Sequence, residues 1–284
     1  MKRKRKDGRL VKMDPLFKII PFIMERRFDA QVFYEQDVSL TPIDKYIADK
    51  KAQGINLGYM HIFYSAMIRT MKVKPKLNQF VMKGRLYRRN NITISMMVKK
   101  NMSLDGEETS IKLDFTGEET PEDIKNILND LIEKEKSENQ NPDDDNDMDA
   151  LVKVLDKIPQ GLLGLVVKFL KFLDSQNIMP HAIIKASPFH SSAFITNMGS
   201  LGIRSIYHHI YDFGTVGVFL AIGKKDKRLI MENKEVVEEK YINLKFVSDE
   251  RICDGFYFSR AFKQFFKYLR KPELLDKPIG EIED

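Results

Sequence analysis

The chain of 284 residues is 43% hydrophobic and 31% charged, which is enough for one large domain with a sizeable core. Its net charge of +6 lies almost entirely in residues 1–9, where six bases face one acid, and this argues against a basic nucleic-acid groove in the rest of the protein. A single cysteine excludes a disulfide framework and fits a reducing cytoplasm, and no stretch reaches the roughly 18 uncharged apolar residues of a membrane span.

The first half of the chain predicts a basic tail followed by strands and helices. Residues 1–10 are expected to be disordered. The alternating run from Ala30 to Leu40 predicts a strand, and Thr41-Pro42 begins a helix. The remaining expected elements are a buried helix over 58–73, strands over 79–82, 85–87, 91–100 and 109–115, and a helix from Thr120 to about Lys136.

Residues 137–180 interrupt this order. Residues 137–149, which end in the acidic run at 143–149, are expected to be a linker. Downstream, Pro159 separates two apolar helices, and the second, residues 160–174, is apolar nearly all round. A buried helix or an oligomer contact is the expected role. The alternatives are a helix that covers a long acyl chain, or one that lies on a membrane, to which the basic tail adds weak contact.

The last third alternates again and ends in an aromatic helix. Val216 to Lys224 predicts a strand, 225–227 a turn, and 228–231 a strand that pairs back. The run Tyr241–Val247 predicts another strand, and a tight turn then leads into a helix rich in phenylalanine. A strand-to-helix turn of this kind can hold a reactive side chain rigidly.

Three segments in this order resemble the CoA-dependent acyltransferases, the family of chloramphenicol acetyltransferase and of the acyltransferase core of 2-oxoacid dehydrogenase complexes. The run Phe194-Ile195-Thr196-Asn197-Met198-Gly199 is similar to the family's Thr-Ile-Ser-Asn-Leu-Gly. The predicted strand that begins at Val216 is similar to the family's Ala-Ile-Leu-Gly-Ile-Gly. Asp254-Gly255 matches the end of the family's His-x-x-x-Asp-Gly turn.

The resemblance covers most of residues 20–275 except roughly 100–185, and it implies the fold. We expect an α/β protein of the chloramphenicol acetyltransferase type, a two-layer sandwich in which helices pack on one mixed sheet. Residues 11–284 would form one domain, with the acidic linker and the apolar helices as an insert at about 137–180. The resemblance also implies a homotrimer.

The resemblance assigns roles to the residues of this chain that occupy the matching positions of the family's motifs. The resemblance implies that Thr196 donates a hydrogen bond to the oxyanion of the reaction. It also implies that Asp254 is the structural acid beside Gly255, paired with either Arg26 or Arg27.

The base is where the chain departs from the family, because Glu250 stands at the position of the histidine. An ordinary glutamate has a pKa of about 4.3 and a thiol about 8.5, a mismatch that burial of the carboxylate would reduce. Three interpretations stay open. Glu250 is a non-catalytic residue in a retained fold, or it is a working base, or His208 or His209 enters the site instead.

The expected function is transfer of an acyl group from acyl-CoA to a small-molecule acceptor, with coenzyme A as substrate and no metal. No zinc-ligand spacing and no phosphate-binding glycine loop is present in the sequence. An enzyme is favoured, while the alternative is a catalytically silent relative that binds CoA, an acyl ligand or a protein partner. The residues that bind CoA are not identified by the sequence.

Overall fold

A six-stranded mixed sheet organises the protein, as shown by a computed structural model that describes residues 5–99, 108–138 and 155–281. The strands are β1 (Gly8–Leu10), β2 (Gln31–Ser39), β3 (Gln79–Met82), β4 (Arg85–Arg89), β5 (Ile92–Lys99), β6 (Glu108–Phe115), β7 (Ala193–Asn197), β8 (Val218–Glu232) and β9 (Glu235–Asp249). The helices are α1 (Ile20–Ile23), α2 (Thr41–Ala52), α3 (Tyr59–Val73), α4 (Pro121–Glu138), α5 (Gln160–Ser175), α6 (His181–Ala186) and α7 (Gly255–Arg270).

The strand order of the large sheet is β2-β9-β8-β7-β5-β6, so β2 and β6 are its edges. β7 runs parallel to both of its neighbours, β5 and β8, whereas the other pairs are antiparallel. A separate three-stranded sheet has the order β1-β4-β3.

The main core lies between one face of the large sheet and a layer formed by α2, α3, α4 and α7. Because side chains alternate between the faces of a strand, every second residue of the central strands enters this core. Examples are Ile195 of β7, Leu220 of β8 and Phe246 of β9. The two-layer sandwich of helices on a mixed sheet expected from the sequence is confirmed.

The opposite face of the sheet carries a smaller apolar cluster. Phe194, Phe219 and Val247 project from β7, β8 and β9 and pack with Ile210 and Val216 of the preceding irregular segment. Thr196 lies two residues after Phe194 on the same strand, so its side chain is on this second face.

Residues 5–10 differ from the expected disordered tail, and residues 1–4 of that tail lie outside the described part of the chain. β1 pairs with β4, and the guanidinium of Arg5 is 2.7 Å from Asp7 and 2.9 Å from Asp174. Arg5 also lies over the ring of Phe80, at 5.0 Å from the ring centre. A buried arginine with two carboxylate partners explains why residues 5–10 are ordered.

The β8–β9 hairpin is longer than predicted. The expected turn at 225–227 is part of β8, which passes through an irregularity between Ile222 and Lys225 and continues to Glu232. The chain reverses instead at Asn233 and Lys234, both of which have positive φ. The acidic run 143–149 lies outside the described residues.

Candidate active site

The turn after β9 is built from two aspartates with different roles. Asp249, the last residue of the strand, begins a short 3₁₀ turn at 250–252 and accepts a hydrogen bond from the backbone N–H of Arg251. Asp254 begins α7, where its carboxylate accepts the backbone N–H of Tyr257 at 2.7 Å. Glu250 is the exposed residue between them, on a backbone fixed at both ends.

Asp249 is the acid that organises this region. Its carboxylate is buried and takes two hydrogen bonds of 2.8 Å from Arg251, and it lies 3.5 Å from Nε of Arg27. Burial lowers the pKa of Arg27, and the charge of Asp249 opposes that shift. The three side chains form a buried ion-pair network, and two of its members, Asp249 and Arg251, flank Glu250 in the sequence.

The two arginines of this network hold distant parts of the chain. Arg27 donates to the carbonyls of Tyr211 and Gly214, and Arg251 donates to those of Met24 and Glu25. The N-terminal segment, residues 211–214 and the turn are therefore fixed against one another.

This arrangement corrects the pairing expected from the resemblance. Of the two candidate arginines, Arg27 is buried, while Arg26 is exposed beside the ring of Phe28. Arg27 pairs with Asp249, and within the described residues Asp254 forms no ion pair with either arginine. The reason is geometric, since the Asp254 carboxylate is directed at the first turn of α7.

A groove of about 960 Å³ runs between the edge strand β2 and α7, and Glu250 and Gly255 line it. A Cβ atom built on Gly255 would have no neighbour within 4 Å, so the groove is open at that point. Apolar side chains form much of its lining: Val32, Phe33, Tyr34, Phe258, Phe262 and Phe266.

Basic side chains also line the groove, and Glu250 is the one acid among its described lining residues. The basic residues of the lining are Lys74, Arg260, Lys263, Lys267 and Arg270. The four on α7 are spaced by three, four and three residues, which places them along one side of the helix. The groove can therefore accommodate an apolar chain that carries anionic groups, beside one carboxylate.

Thr196 lies far from Glu250 in the same chain. Thr196 on β7 is level with Ala221 on β8 and Lys245 on β9. Glu250 comes five residues after Lys245, just beyond the end of β9, and β9 is two strands away from β7. Strand geometry then separates the two backbone positions by more than about 15 Å. Thr196 is half-buried, and its hydroxyl lies 3.7 Å from the sulfur of Met198.

The two candidate histidines are on the Thr196 face of the sheet and are absent from the described lining of the groove. The ring of His208 stacks on Phe219 at 4.2 Å, and its Nδ1 lies 2.9 Å from the carbonyl of His209. Partial burial lowers the pKa of His208, so the ring is neutral at pH 7 and its Nδ1–H donates to that carbonyl. Its Nε2 then carries the free lone pair. His209 is exposed.

Asp249, Arg251 and the basic side of α7 are features of the site that the resemblance does not supply. The sequence does hold a signal for them, because Asp249 and Arg251 flank Glu250 and the cations of α7 repeat at helical spacing. Among the side chains that the structure describes, no group of three or more potential ligands could hold a metal ion.

Comparison with known proteins confirms the resemblance. Residues 184–276 match the family model of the 2-oxoacid dehydrogenases acyltransferase (catalytic domain), a segment that includes Thr196, Glu250 and Asp254. No curated protein matches the chain in sequence.

Solved structures of low sequence identity share the fold. A probable dihydrolipoamide acetyltransferase from Listeria monocytogenes is 15% identical, with a TM-score of 0.56 over 93% of this chain and 94% of that one. A dihydrolipoamide acetyltransferase from Azotobacter vinelandii is 12% identical, with a TM-score of 0.55 over 94% of both chains. The cubic core of a pyruvate dehydrogenase multienzyme complex is 12% identical, with a TM-score of 0.53 over 94% of both chains.

Proposed function

We propose that the protein is an acyltransferase that moves an acyl group from CoA to a small-molecule acceptor, at a site formed between copies of the chain. The observation that carries the proposal is the position of Glu250. By the resemblance of its turn it would stand at the position of the family's base, and it lies on a turn held by the Asp249–Arg27–Arg251 network, at the wall of a large groove.

The groove fits coenzyme A in its chemistry. CoA has phosphates at one end and an extended pantetheine arm at the other, and as a thioester it supplies the activated acyl group. The basic side chains Lys263, Lys267 and Arg270 would hold the phosphates, and the aromatic residues of β2 and α7 would contact the arm.

Two residues of the chain would act on the reacting atoms. Glu250 would accept the proton of the acceptor's nucleophile, and the hydroxyl of Thr196 would donate a hydrogen bond to the oxyanion that develops on the acyl carbon. Asp249 would act only as a positioning residue. Cys253, directly before Asp254, is not the nucleophile, because it is buried and its burial raises the pKa of the thiol.

The separation of Glu250 from Thr196 within one chain supports a site shared by two copies, and we propose a homotrimer. Phe33, which lines the groove, is more than half exposed, and β2 is an edge strand of the sheet. A neighbouring copy that covered this surface would also remove water from Glu250, which makes a carboxylate a stronger base. With one buried thiol in the chain, we place the protein in the cytoplasm.

The test is release of free thiol from acetyl-CoA in the presence of a panel of amine, hydroxyl and thiol acceptors. We expect release by the wild type, its loss in Glu250→Gln, and its retention in Glu232→Gln, a control that removes an exposed acid from the β8–β9 hairpin. Glu250→His should be active if the rest of the pocket is suited to acyl transfer. Wild-type protein that binds CoA but releases no thiol with any acceptor would contradict the proposal and favour the silent relative.

A further inference from the structure

The small sheet formed by β1, β4 and β3 carries a large excess of positive charge. Residues 5–12 and 83–90, which include β1 and β4, hold eight bases and one acid. The acid is Asp7, and Arg5 already binds it at 2.7 Å. The remaining bases therefore have no counter-charge within these two segments.

Two of these bases lie directly opposite each other on neighbouring strands. Arg9 of β1 is in register with Arg88 of β4. Two residues further along β1, the backbone N–H of Val11 donates to the carbonyl of Leu86 at 2.9 Å. Because hydrogen-bonded pairs recur at every second position of an antiparallel ladder, Arg9 and Arg88 also form such a pair. Their Cα atoms are then about 5.5 Å apart, and their side chains project from the same face of the sheet.

The backbone holds this pair in place although nothing described neutralises it. On the other side of the pair, the N–H of Asn90 donates to the carbonyl of Asp7 at 3.2 Å, and the side chain of Asn90 donates to the carbonyl of Lys6 at 2.8 Å. Both arginines are exposed, and in the described part of the chain no carboxylate pairs with either of them. Like charges directly opposite on neighbouring strands destabilise a sheet, so an anion bound between them would stabilise it.

A pocket of about 460 Å³ lies at the pair, with no acid among its described lining residues. They are Arg9, Leu10, Val11, Arg88, Arg89 and Asn90. The guanidinium of Arg89 is bound elsewhere, since it donates to the carbonyl of Thr215 at 2.6 Å. Arg9 and Arg88 are therefore the two cations that can act on a ligand in this pocket.

A second pocket, of about 350 Å³, adjoins the first and shares Arg88, Arg89 and Asn90 with it. Its other polar lining residues are Lys72, Asn78, Asn91, Asp114 and Thr116. Amide and hydroxyl groups of this kind can hold the polar remainder of a ligand whose anionic group lies at the arginine pair.

We propose that Arg9 and Arg88 together bind a phosphate group, carried either by inorganic phosphate or by a small phosphate monoester. Neither arginine is among the described lining residues of the groove beside Glu250. The site therefore goes beyond acyl transfer and does not depend on it.

The chemistry of two adjacent arginines favours phosphate over a carboxylate. Each guanidinium presents a planar fork of N–H groups that two oxygens can accept. A carboxylate has two oxygens and a single charge, which satisfy one arginine. A phosphate group has oxygens for both forks, and at about pH 8 its charge of about −2 balances both cations.

Thermal unfolding of the full chain tests binding without any substrate. The midpoint is measured at about pH 8 with increasing inorganic phosphate and, at equal ionic strength, with sodium chloride. We expect phosphate to raise the midpoint above its value in chloride, with an apparent dissociation constant of at most about 1 mM, because a ligand of the folded state stabilises it. Glycerol 3-phosphate distinguishes the two sources: tighter binding of the ester assigns the second pocket to its remainder, and equal or weaker binding assigns the site to free phosphate.

Variants identify the residues. Arg9→Gln/Arg88→Gln should weaken phosphate binding at least about tenfold, because charge-assisted hydrogen bonds are lost. Lys12→Gln/Arg85→Gln removes the same charge from exposed positions outside the first pocket and should bind as the wild type does. All four side chains are exposed, so both variants should fold, which circular dichroism checks.

The sign of the coupling between the two arginines gives a second readout. It is obtained from urea unfolding of the wild type, Arg9→Gln, Arg88→Gln and the double variant. In chloride the coupling should be unfavourable, since each single substitution removes repulsion. In saturating phosphate it should become favourable, because the anion bridges both side chains. A purely structural role of either arginine would leave the sign unchanged.

Three results would overturn the inference. The first is a wild-type midpoint that phosphate raises no more than chloride does. The second is an equal phosphate-dependent rise in Arg9→Gln/Arg88→Gln, which would place the bound phosphate at other cations. The third is a coupling between the two arginines that has the same sign in chloride and in phosphate.

Discussion

At the scale of single residues, the chemistry of the site depends on which aspartate is buried with the arginines. Asp249 has ion-pair partners on both sides and almost no contact with solvent, whereas Asp254 mainly caps a helix. Loss of one member of a buried ion-pair network leaves uncompensated charge, which costs far more than loss of a helix cap.

We therefore expect Asp249→Asn to lower the free energy of unfolding by about 3–5 kcal/mol, and Asp254→Asn by no more than about 1 kcal/mol. Urea unfolding followed by circular dichroism measures both. Equal losses, or a larger loss for Asp254→Asn, would show that Asp254 is the structural acid after all.

We expect His190 to make the stability of the protein depend on pH. It is buried, with Nδ1 2.9 Å from Ser187 Oγ and Nε2 3.2 Å from Asp174. Burial lowers the pKa of His190 below its ordinary 6.5; Asp174 opposes this shift, and Lys112 and Arg89 add to it. The unfolded chain therefore takes up a proton at a higher pH than the folded one.

The free energy of unfolding should therefore be highest above about pH 6.5, where His190 is neutral in both states, and it should fall as the pH drops below that value. Asp174 has a depressed pKa, so its own contribution is lost only at more acidic pH. We expect the unfolding midpoint of the wild type to decrease between about pH 6.5 and 5, and His190→Gln to have a lower but flatter profile over that range. His209→Gln, at an exposed ring, should keep the wild-type slope. A wild-type slope in His190→Gln would contradict this assignment.

At the scale of secondary-structure elements, α7 has two functions. Its inner side packs Phe258, Phe265 and Phe266 into the main core, and another side places four cations on the groove. If that side binds the phosphates of CoA, reversal of charge there should weaken binding without loss of the fold.

Lys263→Glu/Arg270→Glu should raise the dissociation constant for CoA roughly tenfold or more, because charged hydrogen bonds to phosphate would be replaced by repulsion. Calorimetric titration at low and high salt measures the effect, and Lys240→Glu, at an exposed position on β9, is the matched control. Equal dissociation constants for the double variant and the control would exclude this side of α7 from CoA binding.

At the scale of the whole molecule, the proposed site needs more than one chain. Glu250 and Thr196 are too far apart in one protomer to act on the same atoms, and each lies near a partly uncovered surface. A shared site makes a specific prediction about mixed assemblies.

Co-expression of Glu250→Gln and Thr196→Ala chains should restore activity that neither variant has alone. In randomly mixed trimers, about a quarter of the interfaces would combine an intact Glu250 with an intact Thr196, so we expect about a quarter of the wild-type activity. The double variant co-expressed with Glu250→Gln is the inactive control. No restored activity in mixed trimers, or a wild-type mass of one chain, would place the site elsewhere.

The sequence by itself determined most of the elements and the identity of the motif positions. Period-two and helix-spaced apolar patterns placed β2, α3 and α7 closely, because such patterns depend on which face of an element is buried. The pattern gave a wrong prediction at the polar end of the β8–β9 hairpin. Lys225-Asp226-Lys227 predicts a turn, but in the structure these residues continue β8, because they pair with Tyr241 and its neighbours on β9.

Only the tertiary structure decided the partners of the charged residues and the shape of the site. Arg5 was expected in a disordered tail but is buried against Asp174, and Arg27 found Asp249 instead of Asp254. Each of these pairs joins residues well over 100 positions apart, and the groove likewise lies between β2 and α7. A local pattern records the burial of an element, but it does not record which distant charge will be brought within a few ångströms when the chain folds.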